Sequence, residues 1–505
     1  MKPNIVFIIS DDQGAWALGC GGNSELKTPT LDSLAANGVR FDNFFCASPV
    51  CSPARASIFT GTMPSAHGIQ DWLRGGNVEM SEHSELKNNP LYACEKHAID
   101  YLGDKKTFVD ILSENGYRCA LSGKWHMGDS VRPQHGFSKW YTIARGGCDY
   151  FNPDIVENGE ISFKNEYITD LITENAVKNI REFAADSSAP FYLSVHYTAP
   201  HSPWNEANSK KEYWDLYSDC PFNSVPNVPL HPWLSAGSPY KEGADGRREN
   251  LQGYYAAISA MDSGIAEILS QLKVSGVADN TIVIFTSDNG MNMGHHGIWG
   301  KGNGTFPQNM YDSSVKIPFI VSCPALISAG AVNENLHSHY DIFPTLMDYL
   351  GIAYNKTDDM PGKSFAEILR GEAENENNEV VIFDEYGPVR MIRTRDLKYV
   401  CRLPYGPDEL YDLANDPDEN INLAGSEEFA DVQKAMRSRL FGWFAKYASP
   451  DIDASREFNT GYGQLQKVGI YSDGGGNFAE EEAYREAYLN AINKFTPSAG
   501  KQPGT

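Results

Sequence analysis

Residues 5–10, Ile-Val-Phe-Ile-Ile-Ser, form a continuous apolar run, and Asp11-Asp12-Gln13-Gly14 follow without a break. A strand that is apolar on both sides has to be covered on both faces, the setting of a parallel sheet between layers of helices. Residues 281–285 repeat the design as a buried strand followed by Thr286-Ser287-Asp288-Asn289-Gly290. The glycine there permits a sharp turn. In open α/β sheets ligands bind beyond the carboxyl ends of the strands. Two adjacent carboxylates at such a place repel each other unless a cation lies between them. Read alone, the acidic pair is more simply a turn with an acidic helix cap.

Helix- and strand-like stretches alternate along the chain. Residues 28–38 read as a capped helix stopped by Gly38, and 39–47 as an extended segment. A short helix over 107–115 ends at Gly116, and a strand over 117–122 follows. Residues 167–185 have the periodicity of an amphipathic helix, 191–197 of a strand and 247–274 of a long helix. A further strand and helix are expected over 316–322 and 338–350. Residues 370–380 are acidic, Asn-rich and linker-like. Beyond them, 380–384, 389–394 and 398–401 suggest a small antiparallel sheet, and 426–447 a helix. The predicted division is a catalytic domain over 1–370, a small subdomain over 371–447 and an extension over 448–505. That extension is Gly-rich around 474–476, with a helix expected near 480–494. It would close over the pocket or pack on a neighbouring subunit of a homo-oligomer.

Composition narrows the function. The chain has 505 residues, and 42 Lys and Arg against 66 Asp and Glu give a net charge of −24. Such a field repels a polyanion, so nucleic acid is a poor partner. An anionic small substrate requires local cations in its pocket. Nine cysteines, scattered and odd in number, are no disulfide framework and suit a reducing compartment or a protein that does not rely on bridges. No apolar run reaches membrane-spanning length, so no membrane association is expected. The apolar part of the N-terminus is too short for a signal peptide and runs straight into two aspartates. A cytoplasmic location is the expectation, or a periplasmic or secreted one if a leader has been trimmed.

Residues 49–61, Pro-Val-Cys-Ser-Pro-Ala-Arg-Ala-Ser-Ile-Phe-Thr-Gly, carry the pattern C-x-P-x-R at Cys51, Pro53 and Arg55. Pro53 fits the first turn of a helix. Arg55 lies one turn beyond Cys51 on the same side, and a helix N-terminus favours negative charge at residue 51. A cysteine near a helix start also reads as a buried core thiol. Further on, Gly123-Lys124-Trp125-His126-Met127-Gly128 follows a strand. Lys124 and His126, two apart, would point the same way in an extended loop. His201 stands in Thr198-Ala199-Pro200-His201 after another strand, and Lys301 closes His295-His296-Gly297-Ile298-Trp299-Gly300-Lys301.

Taken in chain order over roughly residues 3–425, with Asp288-Asn289 and Lys301 counted as one stretch, these five motifs resemble the type I sulfatases, the formylglycine-dependent branch of the alkaline phosphatase superfamily. The resemblance implies an α/β fold with a large mixed, mostly parallel sheet flanked by helices, and a smaller C-terminal subdomain of antiparallel sheet and helix. It implies that a maturing enzyme oxidises Cys51 to Cα-formylglycine before or during folding. Asp11, Asp12, Asp288, Asn289 and the modified Cys51 would bind one divalent cation, usually calcium, consistent with an all-oxygen set. The catalytic residues it implies are Cys51, Arg55, Lys124, His126, His201 and Lys301. The aldehyde hydrate would attack sulfur. His126 would then take a proton from the remaining hydroxyl so that sulfate leaves by C–O cleavage. His201, assisted by Lys301, would protonate the leaving oxygen, and Lys124 and Arg55 would stabilise charge. His201 fits the motif better than His196, which lies within the strand. The segment 311–318 departs from the Glu and Arg-Val-Pro found in many relatives.

The implied substrate is a sulfate monoester: first a sulfated carbohydrate, second a small aryl, alkyl or steroid sulfate. A phosphonate monoester or phosphodiester hydrolase shares C-x-P-x-R, but the intact Gly-Lys-Trp-His-Met-Gly favours sulfate. A non-catalytic binder of sulfated glycans is the remaining alternative. Residues 70–106, 130–160 and 202–246 are the expected specificity walls, with 75–106 a surface insertion. Asp71, Trp72 and Arg74 read equally as subsite residues or loop packing, and Trp204 as a stacking residue. His295 and His296 are not expected to bind metal, because neighbouring side chains diverge.

Overall fold

The computed structural model describes residues 2–479, except 104, 236–237, 241, 373–378, 384–388, 404–405, 458, 460 and 462. The helix expected near 480–494 lies outside the described residues. A ten-stranded sheet is built from β1 (Asn4–Ser10), β2 (Val39–Phe41), β3 (Arg118–Gly123), β4 (Lys139–Ile143) and β5 (Asp154–Glu157). It is completed by β6 (Glu160–Phe163), β7 (Phe191–His196), β8 (Thr281–Ser287), β9 (Phe319–Ser322) and β10 (Ala331–Asn333). Their order is β10-β2-β9-β8-β1-β7-β3-β4-β5-β6. β1 lies between β8 and β7, parallel to both, and β3 and β4 continue the parallel run. β9 joins antiparallel to β8, and β5 and β6 form an antiparallel edge.

The doubly covered strand read from residues 5–10 is what β1 is. Ile5, Phe7 and Ile9 enter one core, and Val6 and Ile8 the other. α1 (Pro29–Ala36), α4 (Ile168–Ala184) and α5 (Gly243–Val274) cover the second face. α2 (Cys51–Thr60), α3 (Phe108–Glu114) and α6 (Ile342–Leu350) cover the first. All five apolar side chains of β1 are fully buried, each contributing roughly 1.5–3 kcal/mol. A charged residue at Phe7 or Ile8 would break the sheet at its centre. α5 starts at Gly243, four residues before the predicted 247. Pro318 splits the strand expected over 316–322 into Lys316–Ile317 and Phe319–Ser322, because it offers no N–H to the ladder.

The small C-terminal sheet has four strands rather than the three expected: β11 (Glu379–Phe383), β12 (Val389–Thr394), β13 (Leu397–Arg402) and β14 (Glu409–Asp412), antiparallel in that order. α7 (Ala430–Tyr447) lays Met436, Leu440 and Phe444 on Val381, Ile392, Tyr399 and Leu410. All nine cysteines are free, and among the described residues no helix is long and apolar enough to cross a membrane.

Two expected walls are corrected. Residues 130–160 contribute β4, β5 and the start of β6 to one side of the sheet, and only Arg145, Gly146 and Gly147 of this stretch line the cavity described below. None of the described residues of 202–246 lines that cavity. Trp204 is 3% exposed, donates from Nε1 to the Pro200 carbonyl at 2.6 Å and meets Tyr254 edge-on. It is a core residue, not a stacking platform, because a buried indole has to satisfy its N–H. Nor is 75–106 simply a surface insertion: Val78, Leu86, Tyr92, Tyr101 and Leu102 are buried.

Candidate active site

Register builds the site. Ser10 pairs with Ser287 across β1 and β8, so Asp11-Asp12 and Asp288-Asn289 leave adjacent strand ends together. Asp12 adopts a left-handed backbone, φ 65°. Its N–H donates to Asp288 Oδ1 at 3.1 Å, and Asn289 Nδ2 donates to Asp12 Oδ1 at 2.8 Å. Cys51 is the first residue of α2, with Pro53 in the first turn, and all ten residues of this helix are buried. The thiol donates to Asp11 Oδ1 at 3.1 Å and lies 4.0 Å from Asp12 Oδ1. One atom each of Asp11, Asp12, Cys51 and Asp288 lie within 4.8 Å of one another. Burial and the Asp11 charge push the Cys51 thiol up, so it is a neutral thiol.

Three cations close round this cluster. Arg55, one turn along α2, reaches Asp288 Oδ2 with Nε at 2.9 Å and Nη2 at 2.8 Å, and donates to the Lys124 carbonyl at 3.1 Å. Lys124 Nζ is 2.5 Å from Asp11 Oδ2. Lys301 Nζ is 2.6 Å from Asp12 Oδ1 and 2.9 Å from Cys51 Sγ. Burial raises the Asp11 pKa, but Lys124, His201, Arg55 and Lys301 together hold it well below the usual range. Asp288 is pushed up to about 6 by burial and the Asp11 charge, against Arg55 and Lys124.

Two histidines complete the set. His201 Nε2 is 3.7 Å from Asp12 Oδ2, and its Nδ1 bonds the Ser202 carbonyl at 2.8 Å. His126 Nε2 lies 3.0 Å from the Leu73 carbonyl, and its buried Nδ1 has no hydrogen-bond partner among the described residues. Burial and Lys124 hold its pKa well below 6.5, so the ring is neutral. The extended loop expected at 124–126 is not formed: His126 has φ 56°. Lys124 and His126 nevertheless both line the cavity. His196 turns to the Lys124 carbonyl at 2.8 Å and is structural, as expected. His295 packs on Trp16 and His296 stacks on Tyr311, away from any acidic cluster of metal-binding spacing among the described residues.

The residues fit a hard divalent cation. Asp11, Asp12, Asp288 and Asn289 offer oxygen only, and Asn289 Oδ1 is buried without a hydrogen-bond partner among the described residues. An unpaired buried acceptor costs about 1–3 kcal/mol, which a cation would offset. Arg55, Lys124 and Lys301 already balance the three carboxylates, so a divalent ion would leave a net positive site suited to an anion.

The cavity above the cluster has a volume of about 460 Å³. Trp72 and Arg74 line it, the Arg74 guanidinium 5.9 Å from the indole ring. Asp71 does not reach it. Its carboxylate accepts from the N–H groups of Trp72 at 2.7 Å and Gly463 at 3.2 Å, so it supports the wall from behind. Sequence reasoning did not single out Asn77, Glu95, Arg145 and Asn303, which also line the cavity. Glu95 is buried and accepts from Asn77 through N–H and Nδ2 at 2.9 and 2.7 Å. Gly146 lies against the His126 ring, where a Cβ would overlap it. Arg145 and Gly146 sit just past the end of a parallel strand, a position that could have marked them.

A mostly parallel α/β sheet that carries a buried acidic cluster, three cations and two histidines at its strand ends defines a hydrolase of anionic esters. The Sulfatase family model matches residues 3–352, and that of N-sulphoglucosamine sulphohydrolase, C-terminal, matches 294–445. An N-acetylglucosamine-6-O-sulfatase of Bacteroides thetaiotaomicron is 26% identical over 90% of this chain and 88% of its own. An ulvan-active sulfatase of Formosa agariphila is 30% identical over 87% of this chain and 80% of its own. A solved structure of a protein in complex with its substrate D-glucosamine-2-N,6-O-disulfate superposes with a TM-score of 0.72. It shares 22% identity and covers 90% of this chain and 100% of its own. The chain belongs to the sulfatase family, in the alkaline phosphatase superfamily, and is a sulfuric ester hydrolase.

Proposed function

We propose that this sulfatase removes sulfate from a sulfated carbohydrate, with Cys51 in its oxidised Cα-formylglycine form and one calcium ion held by Asp11, Asp12, Asp288 and Asn289. The observation that carries the reading is the convergence of Cys51 with three carboxylates and Lys301 at one point under the cavity. A thiol held neutral beside carboxylates is a poor nucleophile and a poor ligand for a hard ion. The hydrated aldehyde supplies an oxygen nucleophile, and the ion lowers the pKa of that hydroxyl when both are in place.

The chain's own residues do the rest. Lys124, Lys301 and Arg55 are buried and hold negative charge at fixed places, where preorganised cations stabilise a transition state most strongly. His126, neutral and with Nδ1 free to accept, takes the proton that lets sulfate leave. His201, at the cavity and near Asp12, donates to the leaving oxygen. Each proton transfer contributes on the order of 10²–10⁴-fold. Sugar recognition is supported by the lining of Trp72, Arg74, Asn77, Arg145 and Asn303, an aromatic residue among polar side chains. It is also supported by the relatives named for N-acetylglucosamine 6-O-sulfate and ulvan. The test is sulfate release by fully matured enzyme from a panel of sulfated sugars and an aryl sulfate. The reading expects a sulfated sugar to be preferred by kcat/KM and Cys51→Ala to release none while keeping its circular dichroism. Preference for the aryl ester would overturn the substrate class, and turnover by Cys51→Ala the mechanism.

A further inference from the structure

The described part of the extension packs on this chain itself, behind the wall that carries Trp72 and Arg74. Gln464 is fully buried and lies beyond both matched regions. Its side-chain oxygen accepts from the N–H groups of Gln70 at 2.8 Å and Asp71 at 3.3 Å, and its amide donates to the carbonyls of Gly68 at 3.1 Å and Gln466 at 2.9 Å. Its backbone N–H donates to the Trp72 carbonyl at 2.8 Å, and its carbonyl accepts from Arg74 at 2.9 Å and Gly75 at 3.3 Å. One residue therefore grips residues 68–75 on both sides of Leu73. Leu73 in turn donates its N–H to Ser52 Oγ at 3.1 Å, beside Cys51, and offers its carbonyl to His126 Nε2 at 3.0 Å. A carbonyl can only accept, so in the neutral ring the proton sits on Nε2 and Nδ1 is the base. The indole Nε1 of Trp72 is held by the Gly461 carbonyl at 3.1 Å.

We propose that Gln464 is a positioning residue of the active site: it fixes residues 70–75 so that the Leu73 carbonyl keeps His126 in its Nε2-protonated form, with Trp72 and Arg74 facing the cavity. The catalytic part of this inference rests on the role given to His126 above; the positioning part does not. A buried glutamine that served folding alone would lower stability without moving a tautomer.

The test uses the full-length, matured enzyme and its Gln464→Met variant, which keeps the side-chain length and removes the amide. Histidine-selective ¹⁵N NMR reads the tautomer of His126, its signal identified by its absence in His126→Ala. Wild type is expected as the Nε2-protonated form and Gln464→Met as a mixture. kcat should fall about 10- to 100-fold, the scale of a 1 Å misplacement of a catalytic group. If Gln464→Met does not fold, Gly463→Ala makes the same test. Gly463 has φ 105°, and an added Cβ would meet Arg74 Cβ at 2.5 Å and the Trp72 ring at 3.2 Å, displacing the wall. An unchanged tautomer in the folded variant overturns the proposal, whatever kcat does. A changed tautomer with kcat within about twofold of wild type upholds the positioning and refutes the role of His126 instead.

Discussion

Lys398→Met tests how the C-terminal sheet holds the loop that carries Lys301. Lys398 is fully buried. Its Nζ lies 2.6 Å from Asp312 Oδ1 and 2.9 Å from the Met310 carbonyl, and it also pairs with Glu419. Asp312 takes a second cation, Arg393, at 3.0 Å, and its N–H donates to Glu419 at 2.7 Å. In the same loop Asn309 Nδ2 donates to the Lys301 carbonyl at 3.0 Å. Methionine fills much of the lysine's volume but leaves Glu419 facing Asp312 with no ammonium between them. Removing one partner of a buried ion pair costs about 3–5 kcal/mol. The pH dependence follows from Glu419, pushed up to about 7 by burial, with Lys398 opposing and the Asp312 charge adding. A folded-state pKa above the unfolded value means the folded chain keeps a proton that the unfolded chain has released. Stability therefore falls as pH rises from about 4.5 through about 7. Without Lys398 the Glu419 pKa rises further and this window extends upward, so the deficit against wild type is larger at about pH 8 than at about pH 6. Urea unfolding followed by tryptophan fluorescence at both pH values is the assay. A deficit below about 1 kcal/mol, the scale of a surface ion pair, or one equal at both pH values would refute the reasoning.

Trp204→Ala should lose about 3–5 kcal/mol of stability with KM for the proposed sugar substrate unchanged; a raised KM at unchanged stability would return Trp204 to the substrate site. EGTA should abolish sulfate release, and added calcium should restore it and raise the thermal midpoint by linkage. Undiminished activity in a metal-free preparation would remove the ion from the mechanism. His201→Gln should lower kcat about 10²–10⁴-fold on esters of poor leaving groups and much less on an activated aryl sulfate, whose leaving oxygen needs no proton. Equal loss on both would assign His201 another role.

Much of the site was legible because its residues sit at ends of elements that the sequence marks locally. The apolar runs at 5–10 and 281–285 stop where polar groups begin, and Pro53 with Arg55 sets the turn below Cys51. What was not legible depends on distant packing. Nothing in the aromatic residue Trp204 distinguishes a sugar platform from a core indole; the Pro200 carbonyl and Tyr254 decide it, and only the fold brings them there. The two-residue spacing that would have put Lys124 and His126 on one side of an extended loop gave the right pair for the wrong reason, because His126 has a left-handed backbone. Residues 130–160 were read as wall because loop-like polar stretches hid three short strands of a sheet edge. Gln464 carries no local signal at all; its bonds reach back to residues 394 and 396 positions earlier.

The burial of every residue in α2 has a consequence for how the molecule is made. An enzyme that oxidises Cys51 by gripping its flanking residues cannot do so once this helix is sealed. The seal includes β8, whose Asp288 locks onto Arg55. At a synthesis rate of about 5–20 residues per second, β8 leaves the ribosome roughly 10–45 s after α2. If Cys51 is oxidised as proposed, the oxidation has to fall within that interval, and a cell that translates this chain faster than it matures it would accumulate well-folded, inert protein.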